Sequence, residues 1–315
     1  AVSTALIFGW IFNLSGYEGQ VESFTPAGGE ASLYNTVLRI FPNNMFGAFV
    51  ENNMLGIVFI SILFGIALNL TDELTGGLSK AFERFNIVFL KIVLLIMSFA
   101  PVGVFCLMGS YVMAKGLNIF GDLVQYVVLL IFVLLFHLTV TYSLLLKLLA
   151  NLNPLIFFRK MRNVALFAFS TSSSAATIPV TLKTVSDDLG VKKDVSSFVV
   201  PVGATINMDG TSLYQAVAAV FIAQSFNIDL SMTDQLSILV TATLASIGSA
   251  AVPGAGLVML TIVLGLFPQI PVEGIGLVFA VDRILDMCRT TVNVTGDASV
   301  AAIVAYSENE IKIVD

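Results

Sequence analysis

Residues 282–297 read DRILDMCRTTVNVTGD and lie near the end of a very apolar chain. Five of these sixteen residues are charged: Asp282, Arg283, Asp286, Arg289 and Asp297. A charge at the centre of a membrane-spanning helix costs roughly 2.5–3.5 kcal/mol on insertion scales. Five facing lipid would cost on the order of 12–17 kcal/mol, and each intervening Ile, Leu or Val returns only a few tenths. The charged face must therefore meet protein, water or ligand. The spacings 4, 3, 4 and 4 put Asp282, Asp286, Arg289, Asn293 and Asp297 on one face of a helix, with Thr290 beside it. Such a stripe serves either as internal ion pairs that join helices or as a binding surface.

Composition fixes the setting. The 315 residues are 57% hydrophobic and 11% charged, with mean hydropathy +0.94. A soluble domain is near a quarter charged. Long apolar stretches, not alternating ten-residue strands, identify an all-α membrane protein. The net charge of −6 says less than where the charges fall. Cys106 and Cys288 carry no disulfide framework or metal spacing. The start, AVSTALIFGWIFN, has no Met and no basic residue, and reads as the tail of a spanning helix rather than a signal peptide. The chain is expected to begin partway through a protein.

Basic residues mark cytoplasmic loops. Residues 14–34 carry Glu18, Glu22 and Glu30 without Lys or Arg and are placed outside, where Asn13-Leu14-Ser15 matches a glycosylation acceptor. Lys80, Arg84 and Lys91 fall inside. A kinked segment with Pro101 returns outward, and 119–149 runs inward to Lys147, Arg159, Lys160 and Arg162. The next stretch, NVALFAFSTSSSAATIPVTL (163–182), has basic flanks on both sides and serines in its middle. Each half is too short to span, so a re-entrant helical hairpin is expected. Non-helical backbone at that depth must be buried in protein or line a wet cavity. Residues 196–226 cross outward, broken at NMDG (207–210). Residues 230–268 have acidic flanks and the small-residue middle SIGSAAVPGAGL (246–257), a second hairpin entering from the other side. Residues 277–306 cross inward. Two oppositely oriented hairpins, each paired with one span, form an inverted repeat, the architecture of secondary transporters.

The chemistry follows from the polar breaks. Asp209 with Asn207, and Asp297 with Asn293, offer hard oxygen ligands for a small cation. A helix-capping role for Asp209 is the alternative. Hairpin tips present N–H groups and hydroxyls to an anion. Arg289 can grip a carboxylate in bidentate fashion, and Asp286 one turn away can hold an ammonium. A ligand with two carboxylates and an amine is an acidic amino acid. His137, the single histidine, reads as a core or helix-contact residue. No Ser-His-Asp set or zinc spacing is present, which argues against an enzyme.

The stretches TSSSAATIPVT (171–181), GATINMDGTSLYQ (203–215), ASIGSAAVPGAG (245–256) and DMCRTTVNVTGD (286–297) resemble the glutamate/aspartate transporter family, the dicarboxylate/amino acid:cation symporters, in a prokaryotic-type member. The resemblance runs in order along the chain. It implies sodium-coupled uptake of L-aspartate or L-glutamate by an elevator-type homotrimer in the cell (inner) membrane, without a nucleic-acid partner; a C4-dicarboxylate carrier is the alternative. It implies that residues 1–13 end the third transmembrane helix, with the two before it absent. It also implies scaffold and trimerisation helices over 34–115 and a transport domain over 119–315, with hairpins at 154–186 and 230–268. Substrate would be held by Ser173, Ser174, Thr211, Val252, Gly256, Asp286, Arg289, Thr290 and Asn293. Sodium ions would be held by Gly203, Asn207, Asn293 and Asp297, by Thr205 with Ser246, Ile247 and Ser249, and by Asp209 with Asn207. The family usually carries an arginine at the position of Ser172 or of Met287. Arg283, one turn before Asp286, is expected to take over that charge.

Overall fold

A computed structural model describes residues 1–11, 41–50, 54–116, 119–267 and 269–312. The acidic segment 14–34 and the Asn13 acceptor lie outside the described residues. The fold is all-α. Helices α1 (Val2–Ile11), α2 (Met45–Val50), α3 (Met54–Thr71), α4 (Leu78–Met97) and α5 (Ala100–Lys115) come first. Helix α6 (Ile119–Phe136) continues through a π-helical turn, His137–Thr141, into α7 (Tyr142–Leu149). Together they form the single run among the described residues, Phe120–Leu149, that is both long and apolar enough to cross a bilayer unbroken.

The remaining helices come in interrupted pairs. Helices α8 (Pro154–Thr171) and α9 (Ser174–Lys183) pack on each other as a hairpin. Asn153 caps α8 by accepting from the Leu155 amide, with Pro154 at the first helical position, where a missing N–H costs nothing. The tip turns at Ser172, whose φ of +50° is left-handed. Ser173 then caps α9, its hydroxyl accepting from the Ala176 amide at 3.1 Å. Helices α10 (Lys193–Ile206) and α11 (Asp209–Ser225) are one rod broken at Asn207 and Met208, whose ψ values of 71° and 58° leave the helical region. Helices α12 (Met232–Ile247) and α13 (Ala255–Gly265) form a second hairpin. Its entry is fixed by a capping box between Ser231 and Asp234. A short α14 (Ile275–Phe279) leads into α15 (Asp282–Ser307), the charged helix.

Two helices organise the packing. Every residue of α11 from Gly210 to Ala223 is buried, and the helix touches α1, α6, α12, α13 and α15. Its alanines at 216, 218, 219 and 223 permit this, because small side chains let helix backbones approach closely. Helix α15 packs on α8, α10 and α11, using Ala298, Ala301, Ala302 and Ala305 in the same way. The polar stripe of α15 therefore points into the bundle. Asp282, Asp286, Arg289, Asn293 and Asp297 are all buried. By contrast α3 and α4 expose Ile62, Leu63, Phe64, Phe85, Ile87 and Phe89, the surface an apolar solvent requires.

Candidate functional site

Arg289 is 1% exposed, and its guanidinium is the centre of the site. One nitrogen, Nη2, donates to Asp286 Oδ1 at 2.8 Å and to Asp282 Oδ1 at 3.0 Å. The cation lies over the Tyr214 ring, 3.8 Å from its centroid, a contact that gains strength where water is excluded. Nε and Nη1 have no hydrogen-bond partner among the described residues. Gly256, near the start of α13, makes room for this side: a Cβ there would fall 2.4 Å from Nη1. The buried guanidinium thus holds unpartnered N–H groups against the second hairpin at Gly256.

The two hairpins meet beside the Arg289–Asp286 pair. The Ala251 carbonyl accepts from the Ser173 hydroxyl at 2.8 Å and from the Ala175 amide at 3.3 Å. The Gly254 amide donates to Asp286 Oδ2 at 3.0 Å, and Gly254 can sit there because its φ is +80°. Ser174 is buried in the first turn of α9, among the N–H groups that no helical carbonyl accepts. Val252 is half-buried between Ala251 and Gly254. Each tip bond contributes about 1 kcal/mol, enough to bias a tip and weak enough to break. Ser173→Ala is expected to speed amide hydrogen exchange over 249–254 several-fold, by about the factor that 1 kcal/mol implies; unchanged exchange would show that the tips are held otherwise.

A second polar cluster lies at the helix break. Asn207 Nδ2 donates to Asp297 Oδ1 at 3.1 Å. Gly203 faces the same carboxylate so closely that a Cβ would fall 2.7 Å from Oδ1. Asn293 accepts from the Gly210 amide at 2.7 Å and donates to Thr211 Oγ1 at 3.2 Å, tying α15 to the first turn of α11. Thr290 donates to the Asp286 carbonyl at 2.9 Å. Asp209 does not cap α11. Its Oδ2 accepts from Tyr142 at 3.0 Å and lies 3.3 Å from His137 Nε2. Gly296 joins the two halves, because a Cβ there would fall 2.5 Å from Tyr142 Oη and 2.7 Å from Asn207 Nδ2. Among the described residues no three His, Cys, Asp or Glu gather as a metal group. The cluster gathers carboxylates that accept from an amide and a phenol, with oxygen chemistry of the kind hard cations take.

Not every residue singled out in the sequence joins these clusters. Thr205 is exposed, and its hydroxyl donates to the Val202 carbonyl of its own helix. Ser246 likewise donates to the Thr243 carbonyl. Ile247 is half-buried at the end of α12, while Ser249 is buried with an unpartnered hydroxyl. Arg283 corrects an expectation. It is exposed and makes no ion pair among the described residues, while Asp286 is taken by Arg289. Spacing alone permits either partner, since both arginines lie three residues from Asp286, but only Arg289 shares its buried face. Arg283→Ala is expected to change substrate affinity less than two-fold, as exposed charges do, in equilibrium binding.

Residues missing from the sequence reading are Asp282 as a partner of Arg289, Tyr214 beneath it, and Tyr142 and His137 on Asp209. In a regular α-helix positions five apart diverge by about 140°. The π-turn over His137–Thr141 brings the two rings to 4.8 Å between centroids and both polar atoms onto one carboxylate. That turn has no readable signal in HLTVT.

This arrangement sets a charged helix against a broken helix, with the tips of two hairpins beside them. Residues 1–307 match the sodium:dicarboxylate symporter family, and the chain belongs to that family. It is 42% identical over 263 residues to excitatory amino acid transporter 1 of Homo sapiens, covering 82% of this chain and 48% of the transporter. It is 40% identical over 266 residues to excitatory amino acid transporter 2 of Mus musculus, covering 84% and 46%. The Ambystoma tigrinum transporter 1 is 41% identical over 269 residues, covering 84% and 49%. The chain spans about half the length of the curated relatives it matches.

Proposed function

We propose that the protein containing this chain takes up acidic amino acids, L-aspartate or L-glutamate, coupled to sodium. The carrying observation is the open pair of buried Arg289 nitrogens, Nε and Nη1. A buried charged donor without a partner is costly, and a ligand carboxylate supplies the bidentate partner. Asp286 is positioned for the ligand ammonium, with Asn293, Thr211 and Thr290 nearby, while tip groups of Ser173, Ser174, Val252 and Gly256 close over the other carboxylate. Asp297, Asn207, Gly203 and Asn293 would hold one sodium ion, and Asp209 with Asn207 another. A third would need Thr205 to turn from its exposed position toward Ser246, Ile247 and Ser249.

The two hairpins are read as re-entrant and inverted relative to each other. The unit over 119–315 is read as the body that moves across the membrane in an elevator motion, against a trimeric scaffold that includes 34–115. The dense packing of α15 on α8, α10 and α11 supports its moving as one piece.

Calorimetry on the complete protein tests the reading. L-Aspartate is expected to bind only with sodium present, and succinate at least about 100-fold more weakly, since Asp286 repels a ligand lacking an amine. Equal binding of succinate would transfer the assignment to a dicarboxylate carrier. Binding indifferent to sodium would remove the cation coupling.

A further inference from the structure

Beyond the charged helix the chain does not trail away. Asn309, with φ +57°, reverses its direction, and the Glu310 amide donates to the Ala305 carbonyl at 2.7 Å. Residues 310–312 then run antiparallel to 190–192, the turn that joins the first hairpin to α10. Lys192 N donates to Glu310 O and Lys312 N to Gly190 O, both at 2.9 Å. Between these bonds Val191 faces Ile311 as a bridged pair, and Lys192 and Glu310 form an ion pair. Val191 is 2% exposed, and Ile311 packs on the same core, which includes Val185, Leu189, Ala301 and Ala305. Gly190, with φ +76°, supplies the matching corner.

We infer that residues 308–312 are a positioning clasp that sets the register of α15 against the first hairpin. Helix α15 carries Asp286, Arg289, Asn293 and Asp297, and the hairpin tip carries Ser173 and Ser174. From Arg289 to Ser307 the helix runs about 27 Å, so the clasp lies far from the ligand. A rigid rod transmits an axial shift from one end to the other, and misplacement of about 1 Å at a binding constellation is costly. The clasp thus acts through α15 on groups it never touches. The inference rests on the transport reading only for its kinetic readout.

Two kinds of variant of the complete protein in membrane vesicles test it. Ile311→Asp places a carboxylate in the apolar side of the clasp. The KM for L-aspartate is expected to rise about ten-fold with kcat within about two-fold, the signature of lost binding rather than lost turnover. Lys192→Glu should shift KM the same way to a smaller degree, and adding Glu310→Lys should restore it. Wild-type KM in both single variants would overturn the clasp. Val191→Cys with Ile311→Cys covers the case in which Ile311→Asp does not fold. The two positions form a non-hydrogen-bonded antiparallel pair, whose side chains lie close. Mild oxidation is expected to bring maleimide labelling down to that of the wild-type protein, which carries only Cys106 and Cys288, and to leave KM unchanged. Thiols that stay reactive, or uptake that stops on oxidation, would overturn the clasp. If the wild-type protein moves no acidic amino acid, the proposed function fails, and the thiol result alone decides the clasp.

Discussion

Replacing Arg289 by alanine is expected to abolish measurable binding of acidic amino acids. In the proposed reading the variant loses the bidentate contact to the ligand, and it leaves Asp282 and Asp286 buried without their cation. Truncating one member of a buried ion pair costs about 3–5 kcal/mol, mostly through the charge left behind. Arg289→Lys separates charge from geometry. A lysine keeps the cation but not the planar fork, so aspartate affinity should fall about 100-fold, the factor equivalent to the ~2–3 kcal/mol of the lost contacts. Binding isotherms in saturating sodium measure both. An Arg289→Lys protein that binds aspartate as tightly as the wild type would mean that the guanidinium contacts protein alone.

The second large effect is structural. Gly210→Ala is expected to prevent accumulation of folded protein. The added Cβ would lie 2.5 Å from the Arg289 carbonyl oxygen and 3.0 Å from its Cα. Both are backbone atoms of a packed helix, so no rotamer change relieves the clash; α11 and α15 must move apart. That separation also strains the Gly210–Asn293 hydrogen bond. Overpacking of this kind costs upward of about 3 kcal/mol, against a total stability of about 5–15 kcal/mol. Gly65→Ala is the control, because nothing lies within 4 Å of its Cβ. That substitution should be neutral, or stabilising by up to ~1 kcal/mol through helix propensity. Monodisperse yield after detergent extraction compares the two, and a well-folded Gly210→Ala protein would show that α11 and α15 separate freely.

How far these features were readable depends on what encodes them. The 4-3-4-4 spacing of Asp282, Asp286, Arg289, Asn293 and Asp297 forces one helix face, and the cost of charge in lipid forces that face inward. Both follow from residue type alone. The serine-rich and glycine-rich breaks, with like-charged flanks, mark the two interruptions at the positions where α8 meets α9 and α12 meets α13. What spacing could not decide was which of two equidistant arginines Asp286 would choose, because that depends on which face of α15 meets α11. Nor could it reveal the bonds from His137 and Tyr142 to Asp209, which are 72 and 67 residues away. Long-range polar contacts are set by helix packing, and a π-turn alters the phase of its own helix without a compositional mark. Thr205 shows the opposite limit. Its position in a motif suggested a ligand, yet the side chain of a threonine in a helix finds its own backbone carbonyl first.

The buried charges have a consequence for energetics. Three buried aspartates, 282, 286 and 297, and the half-buried Asp209 stand against a single buried arginine among the described residues. With the carboxylates ionised that sum is −3, and an acidic amino acid, itself net −1, would deepen it. In the proposed reading, electroneutrality inside a low-dielectric body then favours the anion's arrival together with cations. Coupling of the anion to cations would then follow from the valence of the site. It also makes the vacant body an electrical load. A transmembrane potential does about 2.3 kcal/mol of work on each elementary charge per 100 mV, so in the proposed reading the return of the empty form should depend more steeply on voltage than the movement of a form loaded with the amino acid and its sodium ions.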